Sequence, residues 1–113
     1  SSAASDVYKR QYADRTIRDM DMRFITFEES TVQNIVFQNC NLEGSRFPGT
    51  RLTGCSFEGC NLWGADFREC TFEQTSFAGA ELTAAVFPAE SVPFLEISAE
   101  QLQVIRLDRE EES

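Results

Sequence analysis

An all-β solenoid, wound as stacked four-sided coils, is the fold class that this sequence predicts, and three observations carry it. Every fifth residue from Ile17 is apolar: Ile17, Met22, Phe27, Val32, Phe37, Leu42, Phe47, Leu52, Phe57, Leu62, Phe67, Phe72, Phe77, Leu82 and Phe87. Against 42% hydrophobic residues overall, fifteen successes in one of five phases have a chance probability of roughly 10^-5. Second, residue types recur at intervals of twenty: Phe27, Phe47, Phe67 and Phe87 form one series, Phe37, Phe57 and Phe77 another, Leu42, Leu62 and Leu82 a third. The fourth series, Val32, Leu52 and Phe72, is the variable one. Third, all six glycines (Gly44, Gly49, Gly54, Gly59, Gly64 and Gly79) fall two residues after one of these apolar centres.

The elements follow in chain order. Ser1–Gln11 reads SSAASDVYKRQ, and its DVYKRQ portion looks like the translated end of a transposase adaptor used in preparing sequencing libraries. We set residues 1–11 aside as non-native. Residues 12–19 are expected to be irregular, because Arg15 would fall at an inward position. From residue 20 to 88 the five-residue unit is regular. Two residues before each centre stands a small or moderately apolar residue, such as Cys40, Ser45, Cys55, Cys60, Ala65 or Cys70, and the residue between is mostly polar. Three residues therefore read in, out, in, which is a minimal β segment. The remaining two make a corner, whose second residue must take a left-handed conformation in a type II turn. Pro48-Gly49 is its clearest signature. Four such sides per twenty residues close one coil, giving about three to four coils.

After Pro88 the regular pattern breaks. Residues 89–113 read as a cap: Ser98-Ala99-Glu100-Gln101 has the form of a helix capping box, and a short helix over residues 99–107 would place Leu102 and Ile105 on one face. A solenoid end exposes unpaired backbone and a slice of its core, so a lid is needed. The final run from Asp108 is acidic and solvated.

Cys40-Asn41-Leu42, Cys60-Asn61-Leu62, Ala65-Asp66-Phe67 and Ala80-Glu81-Leu82 resemble the pentapeptide-repeat family, whose loose pattern is a small residue, Asp or Asn, Leu or Phe, then two freer positions. The resemblance covers about residues 20–87. It implies a right-handed quadrilateral β-helix with four pentads per coil, and, as in some members, a C-terminal helix that dimerises instead of serving as a lid. Arg46 and Arg51 depart from the usual Asp or Asn.

Composition narrows the function. Ten Lys and Arg stand against 19 Asp and Glu, a net charge of -9. That argues against direct nucleic-acid binding, which needs clustered cations, and no apolar run is long enough to span a membrane. There is no histidine, so the commonest general base and metal ligand is missing. Cys40, Cys55, Cys60 and Cys70 all lie in the inward phase and read as core packing. Metal binding is disfavoured, since they belong to different faces. One coil step, roughly 4.8 Å, would let Cys40 and Cys60 form a disulfide, but reduced thiols of a cytoplasmic protein are the favoured reading. Gly44 and Gly49 have phosphate-loop spacing, yet Thr50-Arg51 follows where Lys-Ser/Thr is needed. No catalytic residue, cofactor or metal is expected.

Function is left to the outward positions. Trp63 falls at the first corner position, and with Glu43, Glu58, Asp66, Glu69, Glu73 and Glu81 it forms the candidate interaction surface. Two readings follow. One is a non-enzymatic, rigid protein-protein interaction module with an unidentified partner. The other is implied by the resemblance alone: some family members mimic DNA and bind DNA gyrase or topoisomerase IV, affecting quinolone sensitivity.

Overall fold

The structure, a computed structural model, describes residues 10–109, with side chains from residue 13. The non-native reading of the first eleven residues and the acidic end of the tail therefore lie largely outside the described residues. Among the described residues there are six strands: β1 (Arg10–Arg18), β2 (Ser30–Gln38), β3 (Arg51–Thr53), β4 (Thr71–Glu73), β5 (Val86–Pro88) and β6 (Arg106–Asp108). A 3-10 helix (Ala89–Phe94) and a short helix α1 (Ala99–Val104) stand between β5 and β6.

Every pairing is parallel with an offset of twenty. One sheet runs β1-β2-β3-β4, with Val32 opposite Leu52 and Leu52 opposite Phe72. The other three sides are held by single bridges that climb the coil: Asp21, Asn41, Asn61, Glu81 on one; Thr26, Arg46, Asp66, Val86 on the next; Val36, Ser56, Ser76, Glu96 on the last. The four-sided coil expected from the sequence is thus present. Side chains alternate in and out along each side, which is why the centres are buried while the residues just before them reach the surface.

The corners follow the expected chemistry. Leu42 accepts a hydrogen bond from the Ser45 N–H at 3.0 Å and Leu62 one from Ala65 at 3.0 Å, closing turns around left-handed glycines. At Gly44 the φ is +64°, and a Cβ there would lie 2.6 Å from the Phe24 ring one coil earlier. Phe24 itself is left-handed at φ 60°. A bulky residue at such a corner is strained, and glycine above it leaves room for the ring.

Inside the shaft the phenylalanines form two columns. Phe27, Phe47, Phe67 and Phe87 stack with centroids 4.6, 4.7 and 4.9 Å apart, and Phe37, Phe57 and Phe77 stack at 4.8 and 5.2 Å. Across the shaft the columns meet edge to face, as in Phe47–Phe57 at 6.1 Å and 87°. Both geometries suit the ring quadrupole and add roughly 0.5–1.5 kcal/mol per pair beyond burial.

Two expectations are corrected. Residues 12–19 are not irregular: β1 continues the register, with Arg15 opposite Ile35 and Ile17 opposite Phe37. Arg15 lies on the first described level, where its side chain is exposed. Helix α1 stops at Val104 and does not reach residue 107. Ile105 is extended at ψ 165°, and the Arg106 N–H donates to Ala85 at 2.7 Å, so the chain returns to the coil as β6. There Leu107 sits opposite Phe87, in the same apolar phase.

Candidate functional site

The inward positions are consumed by the fold. Each buried thiol donates to the carbonyl of a centre 23 residues earlier: Cys40 to Ile17 at 3.3 Å, Cys55 to Val32 at 3.3 Å, Cys60 to Phe37 at 3.2 Å and Cys70 to Phe47 at 3.1 Å. All four cysteines are free. Burial pushes the Cys60 thiol up to about 11 and raises Cys55 and Cys70 as well. A thiol held protonated is a poor nucleophile and a poor metal ligand. Among the described residues no three His, Cys, Asp or Glu side chains converge on one point. Ser45 is fully buried, and its hydroxyl has no hydrogen-bond partner.

The outward positions sort by face. On the side climbing through Asp21, Asn41, Asn61 and Glu81, a polar side chain at each level folds back onto its own corner. Asn61 Oδ1 accepts the Trp63 N–H at 3.0 Å, Asn41 Oδ1 accepts that of Glu43 at 3.2 Å, and Asp21 Oδ1 that of Arg23 at 3.3 Å. These are Asx turns. The Asn61 amide also donates to Asn41 Oδ1 at 3.2 Å, linking successive coils. Each corner side chain is thereby held outward from a fixed backbone. Glu43, Asn61, Trp63 and Glu81 line one open cleft of about 340 Å³, and Trp63 is 48% exposed.

Of the seven expected surface residues, this face gathers Glu43, Trp63 and Glu81. The others are dispersed. Asp66 and Glu69 lie on the neighbouring side, in a cleft of about 330 Å³ shared with Arg46, Arg68 and Asp108. There Arg68 grips Asp66 with two hydrogen bonds of 3.0 and 2.8 Å and holds its carboxyl below the usual carboxylate range. Glu73 lines a third cleft with Arg51, Phe72 and Phe94, and Glu58 follows Ser56 on the remaining side, its N–H bonded to Ser56 Oγ at 3.2 Å. No one face collects the acids. Asn61, which the sequence reading passed over, belongs to the site; its signal was a second asparagine, Asn41, twenty residues earlier.

The C-terminal helix carries its capping box, with Ser98 Oγ accepting from the Gln101 N–H at 3.0 Å and Gln101 Oε1 accepting from the Ser98 N–H at 2.8 Å. Its contact with the coil is made differently from expectation. Gln101 Nε2 donates to the carbonyls of Phe77 and Ala80 at 2.7 and 3.0 Å. Ile105 packs against the core, while Leu102 is 43% exposed. A sequence signal for this arrangement existed: the five-residue apolar series continues through Val92, Ile97, Leu102 and Leu107. Among the described residues no helix is long and apolar enough to cross a membrane.

The family model described as pentapeptide repeats (8 copies) matches residues 21–59 and 50–87. No curated protein sequence matches the chain. Among solved structures, a trypsin-treated variant of QnrB1, described as a plasmid-mediated fluoroquinolone resistance protein, superposes with a TM-score of 0.53 at 23% identity, over 69% of this chain and 38% of QnrB1. Full-length QnrB1 gives 0.51 at 23% identity over 69% and 37%. The pentapeptide repeat protein alr5209 from Nostoc Pcc 7120 gives 0.51 at 19% identity, over 95% of this chain and 94% of alr5209. The chain thus spans less than two fifths of the length of QnrB1. Together with the twenty-residue register and the phenylalanine columns, these matches place the chain in the pentapeptide-repeat family, as a right-handed quadrilateral β-helix.

Proposed function

We propose that this chain is a non-enzymatic protein-protein interaction module, and that its contact surface is the face displaying Glu43, Asn61, Trp63 and Glu81. The observation that carries the reading is Trp63, a half-exposed tryptophan held in an open cleft by a hydrogen-bonded corner. Tryptophan is enriched at binding hot spots because it offers a large rigid surface with few rotatable bonds. A cytoplasmic setting suits four thiols used as core packing.

The test is site-specific photocross-linking. A cross-linking residue at Thr83, one coil above Trp63, captures discrete partners, and the same residue at Ala78, on a different side, does not. Equal capture at both positions sinks the assignment of the face.

The second reading is a DNA-mimicking partner of DNA gyrase or topoisomerase IV. It is supported by the net charge of -9 and by a coil of the same fold as QnrB1. Two features weigh against it. The acids are spread over four sides, and the bridge series from Thr16 to Glu96 covers four coil steps, about 19 Å, against about 34 Å for one turn of duplex. A gyrase supercoiling assay with excess purified protein decides it: no inhibition and no protection from quinolone at micromolar levels removes this reading.

A further inference from the structure

We infer that the Trp63 cleft is a receptor for a guanidinium or ammonium side chain, so that the partner docks an arginine or lysine there; this rests on the interaction-module reading above. The four lining residues are the chemistry such a cation needs. Trp63 offers an indole face, the best aromatic surface for a cation. Glu43 lies one coil before Trp63 in the same corner column, and Glu81 one coil after Asn61 in the adjoining column. One coil step is about 4.8 Å, so one carboxylate belongs to the level before the indole and the other to the level after it. A guanidinium stacked on the ring would have carboxylate oxygens at either edge, and its planar fork can use both contacts at once.

The cleft's own hydrogen bonding leaves this capacity open. Both asparagines are committed to the backbone and to each other. Glu81 Oε1 accepts from Thr83 Oγ1 at 3.2 Å, which orients the carboxylate and leaves its second oxygen. The only cation on this face among the described residues, Arg23, is held by Asp21, which it grips at 2.9 and 2.8 Å, and Glu43 attracts it more weakly, by charge alone. Asp21, Glu43 and Glu81 against Arg23 leave the face net negative, complementary to a basic partner.

Because the sequence contains a single tryptophan, indole signals report this cleft alone. The experiment titrates the whole protein with acetyl-Gly-Arg-Gly-amide and with its citrulline counterpart, which has the same shape without the charge, and follows the one indole N–H resonance. The arginine peptide gives a saturable shift at millimolar concentration, the lysine peptide a weaker one, and the citrulline peptide at least tenfold weaker binding. In the Glu43→Gln/Glu81→Gln variant, whose unchanged melting shows that it folds, affinity for the arginine peptide falls at least tenfold. Equal responses to arginine and citrulline, or undiminished arginine binding by the double variant, overturn the proposal. If the indole is silent while cross-linking at Thr83 still exceeds that at Ala78, the cation receptor is refuted and the interaction face stands. Silence in both refutes the two together.

Discussion

The two ends of this coil are finished differently. At the C-terminal end the 3-10 helix, α1 and β6 cover the last coil: Phe77, Leu82 and Phe87 are fully buried, and Gln101 satisfies the Ala80 carbonyl, which the coil has no further strand to pair, and adds a second bond to that of Phe77. Among the described residues the N-terminal end is looser. Met20, Phe24 and Ile25 are 52%, 68% and 38% exposed, and Ile17 and Met22 are only partly buried. A solenoid's interior stabilises each coil through its two neighbours, so an end level has half the support unless something replaces the missing neighbour. One polar side chain and fifteen residues of helix and strand supply that replacement at one end.

Breaking the shaft common to both ends has the largest effect. Phe57→Asp puts a charge with no partner between the stacked rings of Phe37 and Phe77, and the cooperative melting transition is lost. Truncating the columns at their ends sharpens the contrast. Phe77→Ala, beneath the lid, costs about 3–5 kcal/mol, whereas Ile17→Ala, at the looser end, costs under about 2 kcal/mol; denaturant titration of the two variants measures the difference, and equal costs would show the ends to be equivalent. Removing the clamp comes next: Gln101→Ala leaves the Ala80 carbonyl unpaired and the Phe77 carbonyl with only its turn bond from the Ala80 N–H, at a cost of about 1–3 kcal/mol. The smallest change is Ser45→Ala. Its buried hydroxyl makes no hydrogen bond, so the substitution leaves stability within about 1 kcal/mol or raises it.

Most of the shaft was legible in the sequence because period five and period twenty are imposed by geometry. An inward centre and a left-handed corner leave few residue types free, and Phe47, Leu62 and Gly64 announce their places. The ends were less legible for a physical reason. There the fold relaxes its rules: Arg15 enters an inward phase yet is exposed on the first described level, and α1 replaces a strand on one side although Leu102 keeps the apolar period. Gln101 could be read as a capping residue but not as a clamp, since its carbonyl partners are set by tertiary docking. The candidate site was half legible. Trp63 was identified by its outward phase, but the grouping of Glu43, Asn61 and Glu81 around it, and the separation of Glu58, Asp66, Glu69 and Glu73, depend on which side of the coil each occupies.

The central claim is a twenty-residue register that continues through β6 and seals the C-terminal end. Residue-resolved hydrogen exchange tests it most directly. The account predicts the slowest exchange at Phe57, Leu62 and Phe67, whose N–H groups donate to Ser76, Glu81 and Val86. It also predicts that Arg106, donating to Ala85 at 2.7 Å, exchanges more slowly than Met22, which donates to Asn41 at 2.7 Å. Rapid exchange at Arg106 with slow exchange at Met22 would contradict it.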